Sequence, residues 1–243
     1  MLIGISGRAG VGKSTLAEVA EEHFNFKRLA FADALKEECV SVLAKFDIPP
    51  LGLYDPRHKL STFALPKSFI ADYEDLILSF AEYHPIIHEY YISYRKFMQF
   101  WGDYRRTQNK DYWLQKFMDN ADFSEDLIVD DVRFFNEAAL IQALGGIIVR
   151  INWPSHTRDT HASETLMDNF PMFNSVILKD YSMPLAEYKA ICLDYLHLWL
   201  GDIDESPRTR QAACPQTTRA VFNRKRLSKQ PHTETTGILP QTS

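Results

Sequence analysis

The chain is poor in the residues that would mark a secreted, membrane or zinc-binding protein. Its 243 residues include three cysteines, Cys39, Cys192 and Cys214, far apart and odd in number. They form neither a disulfide framework nor a zinc spacing, and they fit a reducing compartment. No apolar run approaches the roughly 18 residues that a bilayer span requires. Met1 leads directly into an apolar segment, without the basic region and cleavage site of a secretion leader. There is no internal repeat. His84 and His88, and likewise His156 and His161, stand at ligand-like spacing, but no Cys or further His completes either set. The expectation is a cytoplasmic protein with no membrane partner.

Positive charge is also scarce over most of the chain. Residues 1–203 carry 20 Lys/Arg against 29 Asp/Glu, and residues 204–243 carry seven against three. An acidic body is a poor general surface for nucleic acid. The basic tail is the stretch that could serve as one. It is rich in Pro, Thr, Arg and Gln, has few apolar residues and no period, and is expected to be disordered. The chain therefore divides at about residue 203 into one domain and a tail.

What is present is an ample core and one sharp motif. Hydrophobic residues make up 45% and aromatics 13%. Leu2-Ile3-Gly4-Ile5 reads as a short buried strand. Gly7, Arg8, Ala9, Gly10, Val11, Gly12, Lys13, Ser14 and Thr15 then fit G-x-x-x-x-G-K-[ST] and run into a good helix former. Strand, glycine loop and helix together make a phosphate site. Glycines let the loop turn its N–H groups around an anion, and the helix start adds its own free N–H groups and dipole. Lys13 would reach the β- and γ-phosphates of ATP, and the Ser14 hydroxyl would hold Mg²⁺.

Further strands are expected over Lys27–Phe31, Asp126–Asp131, Gly146–Ile151 and Ser175–Leu178, alternating with helices. That pattern implies an α/β domain with a parallel sheet covered on both faces. Residues 49–66 hold four prolines and read as a loop-rich start to an insertion. The insertion, about 49–120, reads as helical: one amphipathic helix through Phe69 to Phe80, a second capped by Ser93, a third opened by Asn109. A closing helix is expected from Pro184 to Leu200.

Four stretches could complete the site. Asp33 and Lys36 follow the second strand, where Asp33 could equally be a plain helix cap. Arg95, Gln99 and Gly102, spaced by four and three, share a helix face. A positive fork, an amide and a bare backbone patch could hold a nucleotide's phosphate and base, or form a solvated face. Asp130 and Asp131 end an apolar strand; such a carboxylate beside a P-loop organises Mg²⁺, and Arg133 would sit near the transferring phosphoryl. Glu137, four residues on, could pair with Arg133 on one helical face. Arg158 lies in a polar stretch between strands, as a lid cation would.

At these residues the chain resembles the deoxynucleoside monophosphate kinases of tailed bacteriophages, a branch of the P-loop nucleoside-monophosphate kinases. The likeness runs from Met1 to about Leu200 and rests on GRAGVGKST, FADALK, the R-x-x-x-Q-x-x-G of residues 95–102, the Trp113 segment, DVRFFNEAALIQALGG and DTHASE. The resemblance implies a five-stranded parallel sheet with helices on both faces, a helical acceptor-binding insertion, a short lid at about 152–170, and Mg-ATP as donor. It implies that Arg95, Gln99, Asp131 and Arg133 face the acceptor or phosphoryl group, with Trp113 in the acceptor segment and Arg158 in the lid. Two places depart from the pattern: Trp153-Pro154 stands where an Arg-Pro is frequent, and Lys179-Asp180 where an Asn-Asp/Gly turn lies near the adenine.

The resulting expectation is an ATP-dependent kinase converting deoxynucleoside monophosphates to diphosphates. The same branch includes kinases of 5-hydroxymethyluracil in phage DNA, and a modified DNA substrate is the alternative. A non-catalytic nucleotide switch or a DNA-bound accessory protein is a third reading; no Asn-Lys-x-Asp guanine motif supports the switch. The aromatic insertion between Leu51 and Trp101 could also hide a homodimer interface.

Overall fold

The computed structural model describes residues 1–153, 165–180 and 182–201. Five parallel strands form the central sheet: β1 (Leu2–Ser6), β2 (Lys27–Leu29), β6 (Leu127–Val132), β7 (Ile147–Asn152) and β8 (Ser175–Leu178), in the order β2-β6-β1-β7-β8. All five residues of β1 are buried. An uninterrupted apolar run is what a central strand with two covered faces demands.

One face packs on α1 (Lys13–Phe24) and α8 (Leu185–Leu200). Ile3, Ile5, Ile128, Val149 and Ile151 meet Leu16 and Val19 of α1 and Tyr188, Tyr195 and Leu196 of α8. The other face carries Leu2, Val129, Val132 and Ile148 against Phe31 of α2 (Phe31–Ala44), Phe117 of α6 (Tyr112–Asn120), and Ala138 and Ile141 of α7 (Phe135–Ala143). The chain leaves β1 toward β2 and β6 on one side and later crosses to β7 and β8 on the other. Connections therefore diverge at β1, and the crevice beyond its carboxyl end is where ligands of such sheets bind. The P-loop occupies that place.

The insertion has its own core and is not purely helical. It contains α3 (Leu51–Tyr54), α4 (Lys67–Ile77), α5 (Tyr94–Gln108) and a small antiparallel sheet of β3 (Thr62–Ala64), β5 (Glu89–Ser93) and β4 (Glu82–His84). The hairpin β4–β5 turns with His88 at φ 54°, so no glycine announces it. Its outward residues also blur the period-2 alternation, since all three of β4 are exposed. The aromatic wealth of the insertion is spent internally: Phe69, Phe97, Phe100 and Trp101 are buried together with Leu43 and Ile77.

Helix starts differ from the sequence expectation by a few residues. Helix α2 begins at Phe31, and Asp33 occupies its third position, where Oδ2 accepts the Ala30 N–H at 2.9 Å. Ser93 does cap α5, accepting the Lys96 N–H at 3.3 Å. Helix α6 begins at Tyr112, three residues past Asn109.

Candidate active site

The glycine loop joins β1 to α1 and is shaped by contacts at both ends. Gly12 has φ 105°, and a Cβ there would stand 2.7 Å from Tyr188 Cε1; the Tyr188 hydroxyl donates to the Gly12 carbonyl at 3.1 Å. At Gly7 a Cβ would stand 2.8 Å from the Ile151 carbonyl oxygen. A Cβ would press on backbone at Gly7 and on the buried Tyr188 ring at Gly12, so only glycine fits both positions undisturbed. Val11 turns its side chain into the core, so its part in binding is confined to its backbone. Lys13 folds across the loop it follows, donating from Nζ to the carbonyls of Gly7 (2.7 Å) and Arg8 (2.9 Å). Its charge is thus already placed over the space the loop encloses.

Ser14, at the start of α1, lies beside the end of β6. Its Oγ donates to Asp130 Oδ2 at 3.2 Å. These two oxygen-bearing side chains suit a hard divalent cation such as Mg²⁺. Among the described residues no group of three or more His, Cys, Asp or Glu could hold a metal by itself. A cation at Ser14 and Asp130 would draw its remaining ligands from phosphate and water. Arg28 on β2, which no motif marks, also reaches this carboxylate: its NH2 stands 2.5 Å from the same Asp130 oxygen. The parallel pairing of β2 with β6, which the sequence does not show, brings the two together.

The second carboxylate does something different. Asp131 Oδ1 accepts the Phe31 N–H at 2.9 Å, and Oδ2 the Ala32 N–H at 2.8 Å. Both oxygens cap α2, tying its start to the end of β6. Burial and the charge of Asp130 push the Asp131 carboxyl up, and the N–H donors oppose them. Asp131 was expected to face the acceptor or phosphoryl group; its described bonds make it a positioning group.

Glu137 repeats the device at α7. Its Oε2 accepts the backbone N–H groups of Arg133 (2.7 Å) and Phe134 (3.0 Å). Arg133 precedes the helix, so the expected pairing along one helical face is replaced by a hold on the Arg133 backbone. Burial, with the Asp131 charge second, pushes the Glu137 carboxyl up to about 7. At 3% exposure it is not a substrate contact as the structure stands.

Arg95 and Gln99 lie half-exposed on α5. Gly102 is buried, flanked by Arg106 and Leu35, so the bare backbone patch foreseen there is covered. Trp113 is corrected too: 3% exposed, it donates its indole N–H to the Gly102 carbonyl at 3.2 Å and belongs to the core between α5 and α6. Asp33 remains exposed at the edge of the site, with Lys36 Nζ 3.1 Å from its Oδ1.

Arg8 leads to a cluster that the sequence did not disclose. Its NH2 lies 2.5 Å from Asp168 Oδ2, while Arg150, 6% exposed on β7, binds Asp168 Oδ1 and donates to Ser6 Oγ at 3.1 Å. A cavity of about 400 Å³ opens beside them, lined also by Asn152, Trp153 and Phe173. An arginine inside the apolar run Ile147–Asn152 was the one sequence clue. Lys179 Nζ lies 4.5 Å from the Tyr188 ring centre and 5.2 Å from that of Trp153, against the rear of the loop. Arg158, His156 and His161, most of the expected lid and the tail fall outside the described residues. Among the described residues, no helix is long and apolar enough to cross a membrane.

A strand, glycine loop and helix at the divergence point of a five-stranded parallel sheet, with Ser14 against a strand-end carboxylate, define an α/β fold of the P-loop kind. No family model matches the chain. It is 26% identical over 194 residues to a protein of Acanthamoeba polyphaga mimivirus whose provisional name is deoxynucleotide monophosphate kinase, a match covering 74% of this chain and 89% of that one. Among solved structures, dephospho-CoA kinase from Campylobacter jejuni aligns with 14% identity and a TM-score of 0.38, over 83% of this chain and 98% of that one. A gluconokinase from Sinorhizobium meliloti 1021 aligns with 13% identity and a TM-score of 0.37, over 84% and 97%. Neither superposition is close.

Proposed function

We propose that the chain is an ATP-dependent phosphotransferase whose acceptor is the 5′-phosphate of a deoxynucleoside monophosphate. The observation that carries this reading is the meeting of Ser14 and Asp130 beside Lys13, at the divergence point of the sheet. The mimivirus relative's name supports the acceptor class.

An acceptor phosphate oxygen would attack the γ-phosphorus of ATP as the bond to the β–γ bridging oxygen breaks, giving ADP and a nucleoside diphosphate. Loop amides and Lys13 would bind the donor phosphates and neutralise charge developing on the bridging oxygen. Ser14 and Asp130 would hold Mg²⁺, which when bound neutralises charge on the β- and γ-phosphates. Arg133, fixed through Glu137, and the lid's Arg158 would meet the transferring group. Asp33, Lys36, Arg95 and Gln99 would frame the acceptor, with alignment supplying much of the rate.

Asp131 is poorly placed to be the base that a hydroxyl acceptor would need, which leaves Asp33 for that role. A hydroxyl acceptor needs a general base. Both oxygens of Asp131 already serve α2, and a proton taken there would weaken that cap. An ionised phosphate needs no base. The deciding experiment incubates the protein with γ-labelled ATP and either the four deoxynucleoside monophosphates or duplex DNA containing 5-hydroxymethyluracil. Label in a free diphosphate supports the proposal. Label confined to DNA supports the hydroxymethyl reading, in which the basic tail would contribute the DNA contact. Label in neither removes both.

A further inference from the structure

The face of α5 that carries Arg95, Gln99 and Gly102 continues one turn further, to Arg106, at the next spacing of four. In the fold this side chain runs back along its helix. Its NH1 lies 3.1 Å from the point where a Cβ on Gly102 would stand, so the glycine leaves the lane in which the guanidinium lies. Cζ sits 3.8 Å from the centre of the Phe134 ring. Arg106 thus spans from the acceptor helix to the segment between β6 and α7 that bears Arg133.

What sets Arg106 apart is how it is held. Its nearest carboxylate oxygens are Asp103 Oδ1 at 3.6 Å and Glu137 Oε1 at 3.7 Å, and among the described residues it closes no hydrogen bond through its side chain. Charge-assisted bonds of an arginine run about 2.7–2.9 Å. The adjacent Arg105 shows what a structural arginine does here: its Nε donates to Glu38 Oε2 at 2.8 Å while the guanidinium lies over Trp101 and Tyr112. Arg28 likewise reaches Asp130 at 2.5 Å. Glu137 cannot advance on Arg106 without loosening Oε2 from the Arg133 and Phe134 N–H groups. Arg106 is therefore positioned by ring packing and by charge at a distance, with its five donors uncommitted. Its side chain is 24% exposed, enough for a small anion to reach it.

We infer that Arg106 is a substrate-binding residue, supplying a bidentate grip on the phosphomonoester group of the acceptor. The inference rests on the kinase reading above and deepens it. A fork of two parallel N–H donors matches two oxygens of one phosphate. It would leave Arg133, across the Phe134 ring, for the phosphoryl group in transit. Glu137 and Asp103 would then act as remote countercharges that keep the guanidinium aimed while the site is empty.

The test is steady-state kinetics with whichever deoxynucleoside monophosphate the native protein phosphorylates fastest, at saturating Mg-ATP, on Arg106→Met, Arg106→Lys and Gly102→Ala. Removing a charged hydrogen-bonding partner should raise the acceptor KM by about 10- to 100-fold in Arg106→Met, with the KM for ATP unchanged within about twofold. Arg106→Lys keeps the charge without the fork and should recover only part of the loss. Gly102→Ala keeps the arginine but narrows its lane, and should raise the acceptor KM alone. Arg105→Met should lower the thermal midpoint with little effect on that KM. An unchanged acceptor KM in Arg106→Met overturns the inference. So does failure of both Arg106 variants to fold, which would make the residue a staple. Absence of any acceptor phosphorylation by the native protein would count instead against the kinase reading.

Discussion

Ser14 and Asp130 are 116 positions apart in sequence, and the Ser14 hydroxyl donates to the Asp130 carboxylate at 3.2 Å. The parallel pairing of β1 with β6 sets this contact, since it brings the carboxyl end of one strand beside the loop that leaves the other. Asp130→Asn keeps an oxygen acceptor for Ser14 and removes the charge that would hold Mg²⁺. Turnover should fall by roughly 10²–10³-fold, the loss typical when one transition-state electrostatic contact is removed. The fall should be largest at low Mg²⁺ and ease as Mg²⁺ rises. Turnover measured across a Mg²⁺ series checks this, and an Mg²⁺-independent loss would contradict it.

Asp131, one residue further, should behave quite otherwise. Its two oxygens cap the first N–H groups of α2. Asp131→Ala should cost about 1–2 kcal/mol of stability, as lost caps do. Asp131→Asn keeps one acceptor oxygen and should cost less. Denaturant melts of the two variants check the order; equal stability with the native chain would remove the capping role.

Trp113→Phe tests whether the indole belongs to the core or to the substrate. Losing the hydrogen bond to the buried Gly102 carbonyl should cost on the order of 1–3 kcal/mol. The acceptor KM should hardly move. A large rise in that KM without loss of stability would return Trp113 to the substrate side.

The broad design was legible in the sequence because its signals are local. The glycine loop, the apolar runs of β1 and β6 and the amphipathic stripe of α5 each lie within a dozen residues. The sheet and its covered faces followed from their alternation. The small antiparallel sheet was not legible: its hairpin turns on His88 in place of glycine, and its strands expose much of their surface. Pairings between distant residues were hidden for a different reason. Arg28 with Asp130, Arg150 with Asp168 and Arg106 near Glu137 depend on which strand and helix ends come together. Spacing can place Arg133 and Glu137 four apart, but it does not reveal that Arg133 lies before the helix starts. Arg95 and Gln99 remained partly exposed where the spacing put them, whereas Gly102 and Trp113 were drawn into the core by α5–α6 packing.

Glu137 makes stability depend on pH with a definite sign. Its carboxyl is raised to about 7 in the fold, from an ordinary value near 4.5. Below 4.5 both folded and unfolded chains hold the proton, and the contribution is fully present. Between 4.5 and 7 the unfolded chain releases its proton first, so stability falls as pH rises. Above 7 the loss, up to about 3 kcal/mol, is complete. Glu137→Gln lacks this titration. The stability of the native chain minus that of Glu137→Gln should therefore shrink from pH 4.5 to pH 8, and parallel pH profiles would contradict the burial of an ionisable group there.

Everything proposed for this chain begins with a nucleotide held by the loop between Gly7 and Thr15. Calorimetric titration of the full chain with Mg-ATP, beside Lys13→Ala, tests this most directly. Lys13 Nζ donates to the carbonyls of Gly7 and Arg8, and the thermal midpoint of Lys13→Ala, measured alongside, separates loss of binding from loss of fold. The native protein should show one saturable site per chain, and Lys13→Ala binding weakened by about 10²-fold or more. Absence of saturable Mg-ATP uptake, or equal uptake by both proteins, would contradict this.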